Sequence, residues 1–467
     1  AISREIGVKL SVLDLFDAPS VRDLARKLAA PADVPKELDA PHAAPAGGLS
    51  KDVAIVGMAG RFPQAPSVDD FWSMLVDGRD ALTLWSKAEL AAKGVGPAVR
   101  DHPQFVPAAY LVGGATEFDA AFWAISPQEA ALMDPQHRMF MQVSWEALEH
   151  AGYAPRSGTP ARTAVYAAAG IDGYMIHHLD GAPLKDPLSP GEIFLGEVGS
   201  EKDYIATRVS YALDLMGPSL QVNSACSSAL SAVAQAATAL LTQQADMAVG
   251  GASALSFPSQ GYLYEEGLVF SIDGRVRPFD AKAQGTVFGD AVGAVVLKRA
   301  DDAARDDDSV YALIRGLGVT NDGARKAGYA APGVAGQRAA VVSALRMAGV
   351  SASSISYVEC HATGTLVGDG IELRALAEAY AAEGAGAAAP PRSCAIGSVK
   401  GNIGHANAAA GITGLIKTAL CLSKRTLVPT AHYSELNSKV VLDGTPFFVH
   451  DGGAAPWAAP AGGAPRR

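Results

Sequence analysis

Four side chains in this 467-residue chain stand where a strand-like run gives way to a helix-like one, and together they suit thioester chemistry. The first is Cys226, in QVNSACSSALSAVAQAATALLTQQADMAVGG from Gln221 to Gly251. A short apolar strand ends at Val222, a tight polar turn follows, and Cys226 opens a helix that runs to about Leu241. A thiol in the first helical turn faces unpaired backbone N–H groups and the positive end of the helix dipole, and both favour thiolate. The plain alternative is a small buried apolar residue; the strand-to-helix turn and its small neighbours weigh against that. The second is His361, in ISYVECHATGTLVGDGIELRALA, where a strand delivers the imidazole to a loop with Thr363, Gly364, Thr365 and Gly368 before a helix begins near Ile371. Sites in α/β proteins lie outside the carboxyl ends of strands, although an isolated histidine is more often structural. Cys360 beside it reads as a strand core residue. The last two are Lys400 and His405, in CAIGSVKGNIGHANAAAGITGLIKTAL, with Asn407 placed to cap the helix that follows. A merely solvated lysine would sit in polar surroundings, and these are apolar. A cysteine that attacks an acyl thioester and imidazoles that manage the resulting negative charge make a consistent set. Neither a GxSxG elbow, a GxxxxGK[ST] phosphate loop nor an HExxH helix is present.

The elements that must position these groups read as an α/β protein. Short apolar runs alternate with longer Ala/Leu-rich helical patterns: VAIVGMA (53–59), TAVYAAAGI (163–171), DMAVGGASAL (246–255), GAVVLK (293–298), YALIRGLGV (311–319), ISYVEC (355–360) and SCAIGSVK (393–400). Such runs are strands buried on both faces. EGAGAAAPPR (383–392) contains GxGxxA, but Pro390 and Pro391 stop the helix that a dinucleotide site needs, so it reads as a loop. No fixed-period repeat points to a solenoid.

Composition sets the outer bounds. Hydrophobic residues at 49% against 18% charged exclude wholesale disorder, and the length allows two or three lobes or one large duplicated fold. A net charge of -10 argues against a nucleic-acid binder. Cys226, Cys360, Cys394 and Cys421 are too few and scattered for a disulfide framework or a zinc site, which fits a cytoplasmic setting. Apolar stretches are interrupted before membrane-spanning length, and AISREIGVKL lacks the layout of a signal peptide. The chain begins with Ala, as a piece of a longer protein would. Residues 1–30 hold short amphipathic helices with Ser20 as a cap; residues 31–50, PADVPKELDAPHAAPAGGLS, are a Pro/Ala/Gly linker; the main domain is 51–467.

At SACSS (224–228), HATGT (361–365) and KGNIGH (400–405) the chain resembles a β-ketoacyl synthase, specifically the ketosynthase domain of a modular type I polyketide synthase, whose signatures are TACSS, HGTGT and KSNIGH. The likeness extends through DVAIVGMAGRFP (52–63), FDAAFWAISPQEAALMDPQHR (118–138) and RPFDAKAQGTVFG (277–289), and runs from about Lys51 to the end. His137, within MDPQHR, reads as structural. Residues 1–30 resemble the last helices of a carrier domain, whose phosphopantetheine serine lies upstream of this chain.

The resemblance implies a thiolase-like five-layer α-β-α-β-α fold built from two related halves, usually a homodimer. It assigns the nucleophile to Cys226 and the two active-site histidines to His361 and His405. Lys400 falls on the lysine that helps hold the site, with a charge that disfavours protonated imidazole. Thr363 and Thr365 match threonines that hydrogen-bond the pantetheine amides. The implied reaction is polyketide chain elongation by decarboxylative Claisen condensation of a cysteine-bound acyl chain with a malonyl-type extender on an acyl carrier protein. No cofactor or metal is bound directly, and the phosphopantetheine arm belongs to the partner carrier. The other implied partners are further domains of the same multienzyme, with neither nucleic acid nor membrane. Three departures stand out. Ala362 replaces a glycine, which matters if the backbone there needs positive φ. Asp290, in FGDAVG, replaces a glutamate, so any ion pair made there must be rebuilt with a shorter arm. The family's glycine-rich turn ending in NAH, which supplies one oxyanion-hole N–H beside that of Cys226, is not in this chain. The rival readings are a non-elongating ketosynthase and a non-catalytic dimerisation or channelling partner; retention of Cys226, His361 and His405 argues against both. A thiolase would place a second active-site cysteine where Cys360, Cys394 and Cys421 do not fall.

Overall fold

The computed structural model describes residue 25 and residues 51–179, 190–324, 326, 328–384, 390–459 and 465–467. The chain divides into two compact units, residues 1–44 and 45–467. The carrier-like helices expected over 1–30, the cap at Ser20 and the linker of 31–50 lie outside the described residues, apart from helical Ala25.

The larger unit is built on two sheets. The first holds β1 (Val53–Arg61), β2 (Thr163–Ala169), β3 (Ser219–Gln221), β4 (Met247–Ala254), β5 (Ala291–Arg299) and β6 (Ala312–Ile314), in the spatial order β6-β1-β5-β4-β2-β3. Strands β3, β2 and β4 run parallel, and β5 is antiparallel to both its neighbours β4 and β1. The second sheet holds β7 (Tyr357–Glu359), β8 (Cys394–Gly397) and β9 (Phe447–Val449), all parallel. The near-continuous apolar runs of β2, β4 and β5 are buried along their whole length, as strands covered on both faces must be.

Six helices supply the other layers: α1 (Pro135–His150), α2 (Tyr204–Leu213), α3 (Ser228–Leu241), α4 (Val334–Ala348), α5 (Gly368–Ala382) and α6 (Ala410–Ser423). Helices α1 and α2 cover the outer face of the first sheet through Phe140, Val143, Leu148, Ile205 and Val209. Helices α3 and α6 pack on its inner face and on each other, and α6 also touches β7. On the far side of the second sheet, Leu373, Leu376 and Tyr380 of α5 pack with Ile396 and Phe447, while α4 lies against α5. The order of layers is therefore helix, sheet, helix pair, sheet, helix, as expected.

Two expectations change. The strand read over 311–319 shrinks to β6, which pairs with β1 in the first sheet. Beyond Ile314 the chain turns to run against α4, where a Cβ on Gly316 or Gly318 would lie 2.0 Å from the carbonyl oxygens of Ala344 and Ala340. The helix after His361 starts at Gly368, one turn earlier than Ile371. Among the described residues no helix is long and apolar enough to cross a membrane.

Candidate active site

Strand β3 leads into the cysteine turn. Val222 N–H still bonds to Ala167 of β2 at 2.8 Å; then the chain breaks sharply, with Ala225 at φ 52° in the left-handed region that a side chain seldom adopts. Serine hydroxyls brace this bend. Ser228 Oγ accepts Ser224 N–H at 2.8 Å and donates to the Ala225 carbonyl at 2.6 Å, and Ser227 Oγ donates to the Ser224 carbonyl at 2.8 Å. Cys226 sits half-buried in the short 3-10 turn Ala225–Ser227 at the foot of α3. The expected drop in its pKa is not the net result. Burial pushes the thiol up, and the Lys400 charge and the backbone N–H of Cys226 offset this only in part.

The second sheet brings the imidazoles. Cys360 N–H bonds to the Gly397 carbonyl at 2.8 Å, so β7 keeps its register up to the residue before His361. The Glu372 carboxylate of α5 then accepts His361 N–H at 2.6 Å and Ala362 N–H at 2.7 Å. Ala362 needs no positive φ; the left-handed residue of this loop is Gly364, at φ 71°. Thr363 and Thr365 follow, with hydroxyls 3.3 Å apart. From β8 the chain enters the short helix Lys400–Ile403, with Lys400 buried, and turns at Gly404 to present His405, 3% exposed.

One strap from the first half touches both histidine loops. Gly285 N–H bonds to the Gly364 carbonyl at 2.9 Å, His405 N–H to the Val287 carbonyl at 2.8 Å, and Gly289 N–H to the His405 carbonyl at 3.0 Å. The Phe288 ring stands 5.1 Å from the His405 ring. The strap continues into Asp290, which among the described residues makes no ion pair: the buried carboxylate accepts Ser256 N–H at 2.7 Å and Val112 N–H at 3.3 Å, and burial raises its pKa to about 7.

These segments converge. The His361 and His405 rings lie 5.2 Å apart, edge to face. The turn that carries Cys226 packs against the turn Asn407–Ala409 just after His405. Lys400 is within electrostatic reach of the thiol and of both imidazoles. Its charge first, and burial second, pull His361 down to about 3, although His361 keeps an edge open to solvent. His405 is held well below its ordinary value by burial, then by Lys400 and His361. Both rings are therefore neutral near pH 7. For His405 the tautomer is fixed as well. Asn407, expected as a side-chain cap, instead adopts φ 45° and donates its backbone N–H to His405 Nδ1 at 3.2 Å. An N–H only donates, so Nδ1 is the acceptor and the ring proton resides on Nε2.

The remaining cysteines lie apart from this chemistry. Cys360, Cys394 and Cys421 are buried, with thiol pKa values pushed up by burial. His137 lies 1% exposed on α1, lowered to about 3 by burial, in keeping with a structural place. Among the described residues no cluster of His, Cys, Asp and Glu has a metal-site arrangement.

Comparison with known proteins decides the family. The profile described as "Beta-ketoacyl synthase, N-terminal domain" matches residues 50–303, and "Beta-ketoacyl synthase, C-terminal domain" matches residues 311–434. The chain belongs to the β-ketoacyl synthase family. Its two matched segments correspond to the halves that carry Cys226 and the two histidines. A phenolphthiocerol/phthiocerol polyketide synthase chain of Mycobacterium tuberculosis is 43% identical over 403 residues, 85% of this chain and 27% of that protein. "Polyketide synthase PksN" of Bacillus subtilis is 39% identical over 398 residues, 85% of this chain and 7% of that protein. The chain thus spans 27% or less of these curated relatives. Ketosynthase twelve from the bacillaene polyketide synthase of Bacillus amyloliquefaciens superposes with a TM-score of 0.81 at 37% identity, covering 87% of this chain and 70% of that one. The fold is accordingly the thiolase-like fold of ketosynthase domains, a class of acyl-transferring enzymes.

Sequence reasoning missed the acids that brace this candidate site. Glu372 clamps the His361 loop, and Asp369, buried and raised to about 7, accepts Phe279 N–H at 2.9 Å. In DGIELR both read as ordinary acids at the start of a helix, where the dipole welcomes them. Nothing in their spacing says that they turn back toward the loop.

Proposed function

We propose that this ketosynthase domain elongates a polyketide chain by decarboxylative Claisen condensation. The observation that carries the reading is the pair of neutral imidazoles, 5.2 Å apart, beside the turn that bears Cys226. The sulfur of Cys226 attacks the acyl thioester on the phosphopantetheine arm of an acyl carrier protein; the arm's thiol leaves and the acyl chain stays on the enzyme. A malonyl-type thioester then enters on a carrier. Its C–CO2 bond breaks, CO2 departs, and the electron pair becomes an enolate. Nε2–H of His405 and an N–H of His361 donate to the enolate oxygen, each such donor being worth roughly 3 kcal/mol in comparable sites. The enolate carbon attacks the acyl carbonyl, the C–S bond breaks, and sulfur leaves as thiolate, which the Lys400 charge favours. The β-ketoacyl product remains on the carrier.

Thr363 and Thr365, adjoining the histidine loop with their hydroxyls together, suit the amides of the pantetheine arm. Carrier protein and further domains of a multienzyme are the proposed partners. A second copy is the proposed partner along β3: among the described residues its outer edge carries no neighbouring strand, and Leu220, Tyr211 and Met216 are exposed beside it. Four unpaired cysteines support a reducing, cytoplasmic setting. Mass spectrometry of the loaded enzyme tests the assignment. Cys226→Ala abolishes acyl loading, whereas His361→Ala and His405→Ala load but do not condense. Loading that survives Cys226→Ala reassigns the nucleophile.

A further inference from the structure

A largely buried ion pair lies behind the site, on residues to which the reaction gives no part. Lys417 in α6 is 0% exposed, and its Nζ stands 2.8 Å from Oε2 of Glu359, the last residue of β7. The Tyr357 hydroxyl donates to the same oxygen. The other oxygen, Oε1, accepts Val399 N–H at 2.6 Å, at the residue immediately before Lys400. Two glycines leave room for this arrangement. A Cβ on Gly414 would come within 3.1 Å of Glu359 Cγ, and one on Gly397 within 2.8 Å of the Tyr357 hydroxyl and 3.5 Å of Lys417 Nζ.

Withdrawing two charges from water is costly, and an apolar pair of similar volume often serves stability as well or better. The placement of this pair points to a second use. Its carboxylate joins three segments that carry the site: β7, two residues before His361; the peptide that leads into Lys400; and α6, the helix that follows His405.

We propose that Glu359, pinned by Lys417, is a positioning residue for Lys400: it fixes the turn from which Lys400 projects and supplies a largely buried negative charge that keeps the lysine an ammonium. The inference rests on the reading of Lys400, His361 and His405 as condensation machinery. Lys400 faces Glu359 from β7, Glu372 and Asp369 from α5, Cys226 from the turn before α3, and the two imidazoles. Burial draws its pKa below the ordinary lysine range, and Glu359 comes first among the charges that resist this. Glu359 in turn faces Lys417, Tyr357, Glu372, Cys360 and Cys421. Without the Glu359 charge, Lys400 gives up its proton at lower pH, and the charge that favours the departing Cys226 thiolate is lost from the alkaline side.

The experiment is the pH profile of condensation, with acyl and malonyl groups supplied on carrier protein, for the unaltered chain, Glu359→Gln, Lys417→Met and the double variant. Glu359→Gln keeps an acceptor for Val399 N–H but no charge, so the alkaline limb descends by about one pH unit, about tenfold in rate on that limb. Lys417→Met leaves the carboxylate facing Lys400 without its other cation, and the limb moves up. The double variant buries no unpaired charge, so it carries the test if a single variant fails to fold; its limb matches that of Glu359→Gln. A limb unmoved by Glu359→Gln or the double variant, or shifted the same way in both single variants, overturns the proposal. Condensation that survives both histidine-to-alanine changes would instead overturn the reading of the site.

Discussion

Replacing Lys400 by Met keeps much of its length and removes its charge. His361 titrates at about 3 against an ordinary 6.5, and Lys400 is the larger of the two causes. The lysine thus accounts for more than half of the displacement, about 2 pH units before allowance for the solvent-facing edge of the ring. With that screening, the imidazole of the variant is expected to rise by about 1–2 units, to about 4–5. The sign follows from the working form, which is neutral. An imidazole that protonates at higher pH loses its role sooner as acid is added, so the acid limb of malonyl decarboxylation climbs toward pH 5 while the unaltered enzyme stays flat from about pH 5 to 7. Folding linkage runs in a consistent direction: a histidine with a depressed folded pKa costs stability as pH falls from 6.5 toward 3, and Lys400→Met shrinks that cost from this ring. Titration of 15N-histidine-labelled protein by long-range 1H–15N NMR reads both rings. His405 supplies an internal standard, since its Nδ1 accepts Asn407 N–H and its spectrum must show the Nε2–H form. A His361 curve that moves by less than about 0.3 unit would refute the claim that the lysine charge holds it neutral.

Iodoacetamide at neutral pH is expected to reach half-exposed Cys226 before Cys360, Cys394 and Cys421, the last two pushed up to about 12; peptide mapping over time checks the order. Gly401→Ser should lower the melting temperature, at a cost of about 1–3 kcal/mol, because its Cβ would lie 2.6 Å from the Ala431 carbonyl oxygen. Asp290 has a folded pKa raised from 3.8 to about 7, so its contribution to stability is full below pH 3.8 and is lost as pH rises through 7. Denaturant titrations from pH 5 to 8 should show a decline of up to about 2.5 kcal/mol from this group, flattened in Asp290→Asn; an unchanged slope removes Asp290 as its source.

The candidate site residues were legible because their signals are local. A strand end, a turn and a helix start mark Cys226, and a strand that ends two or three residues earlier marks His361 and Lys400. Alternation of apolar runs and helical patterns indicated the α/β class, and the order of the layers came with the family resemblance. Most of what stayed hidden depends on partners distant in the chain. The drop foreseen for the Cys226 thiol used the helix terminus alone, whereas surrounding protein supplies a larger, opposite effect. Asn407 looked like a cap because capping depends on residue type, but its backbone is claimed by His405. The strand foreseen at 311–319 ends early because its glycines lie against α4. Glu359 and Lys417 are separated by 58 positions, and no spacing rule connects them.

The backbone splint at 285–289 has a consequence for how this enzyme can be divided. Both histidines belong to the later half, yet their loops are hydrogen-bonded to one short stretch of the earlier half, at Gly364 and on both sides of His405. Their separation is thus set by a gauge that the later half does not own. Severed between residues 303 and 311, the later fragment would keep both His361 and His405 and lose the distance between them; complementation with the first fragment would restore it even if Cys226 on that fragment were absent.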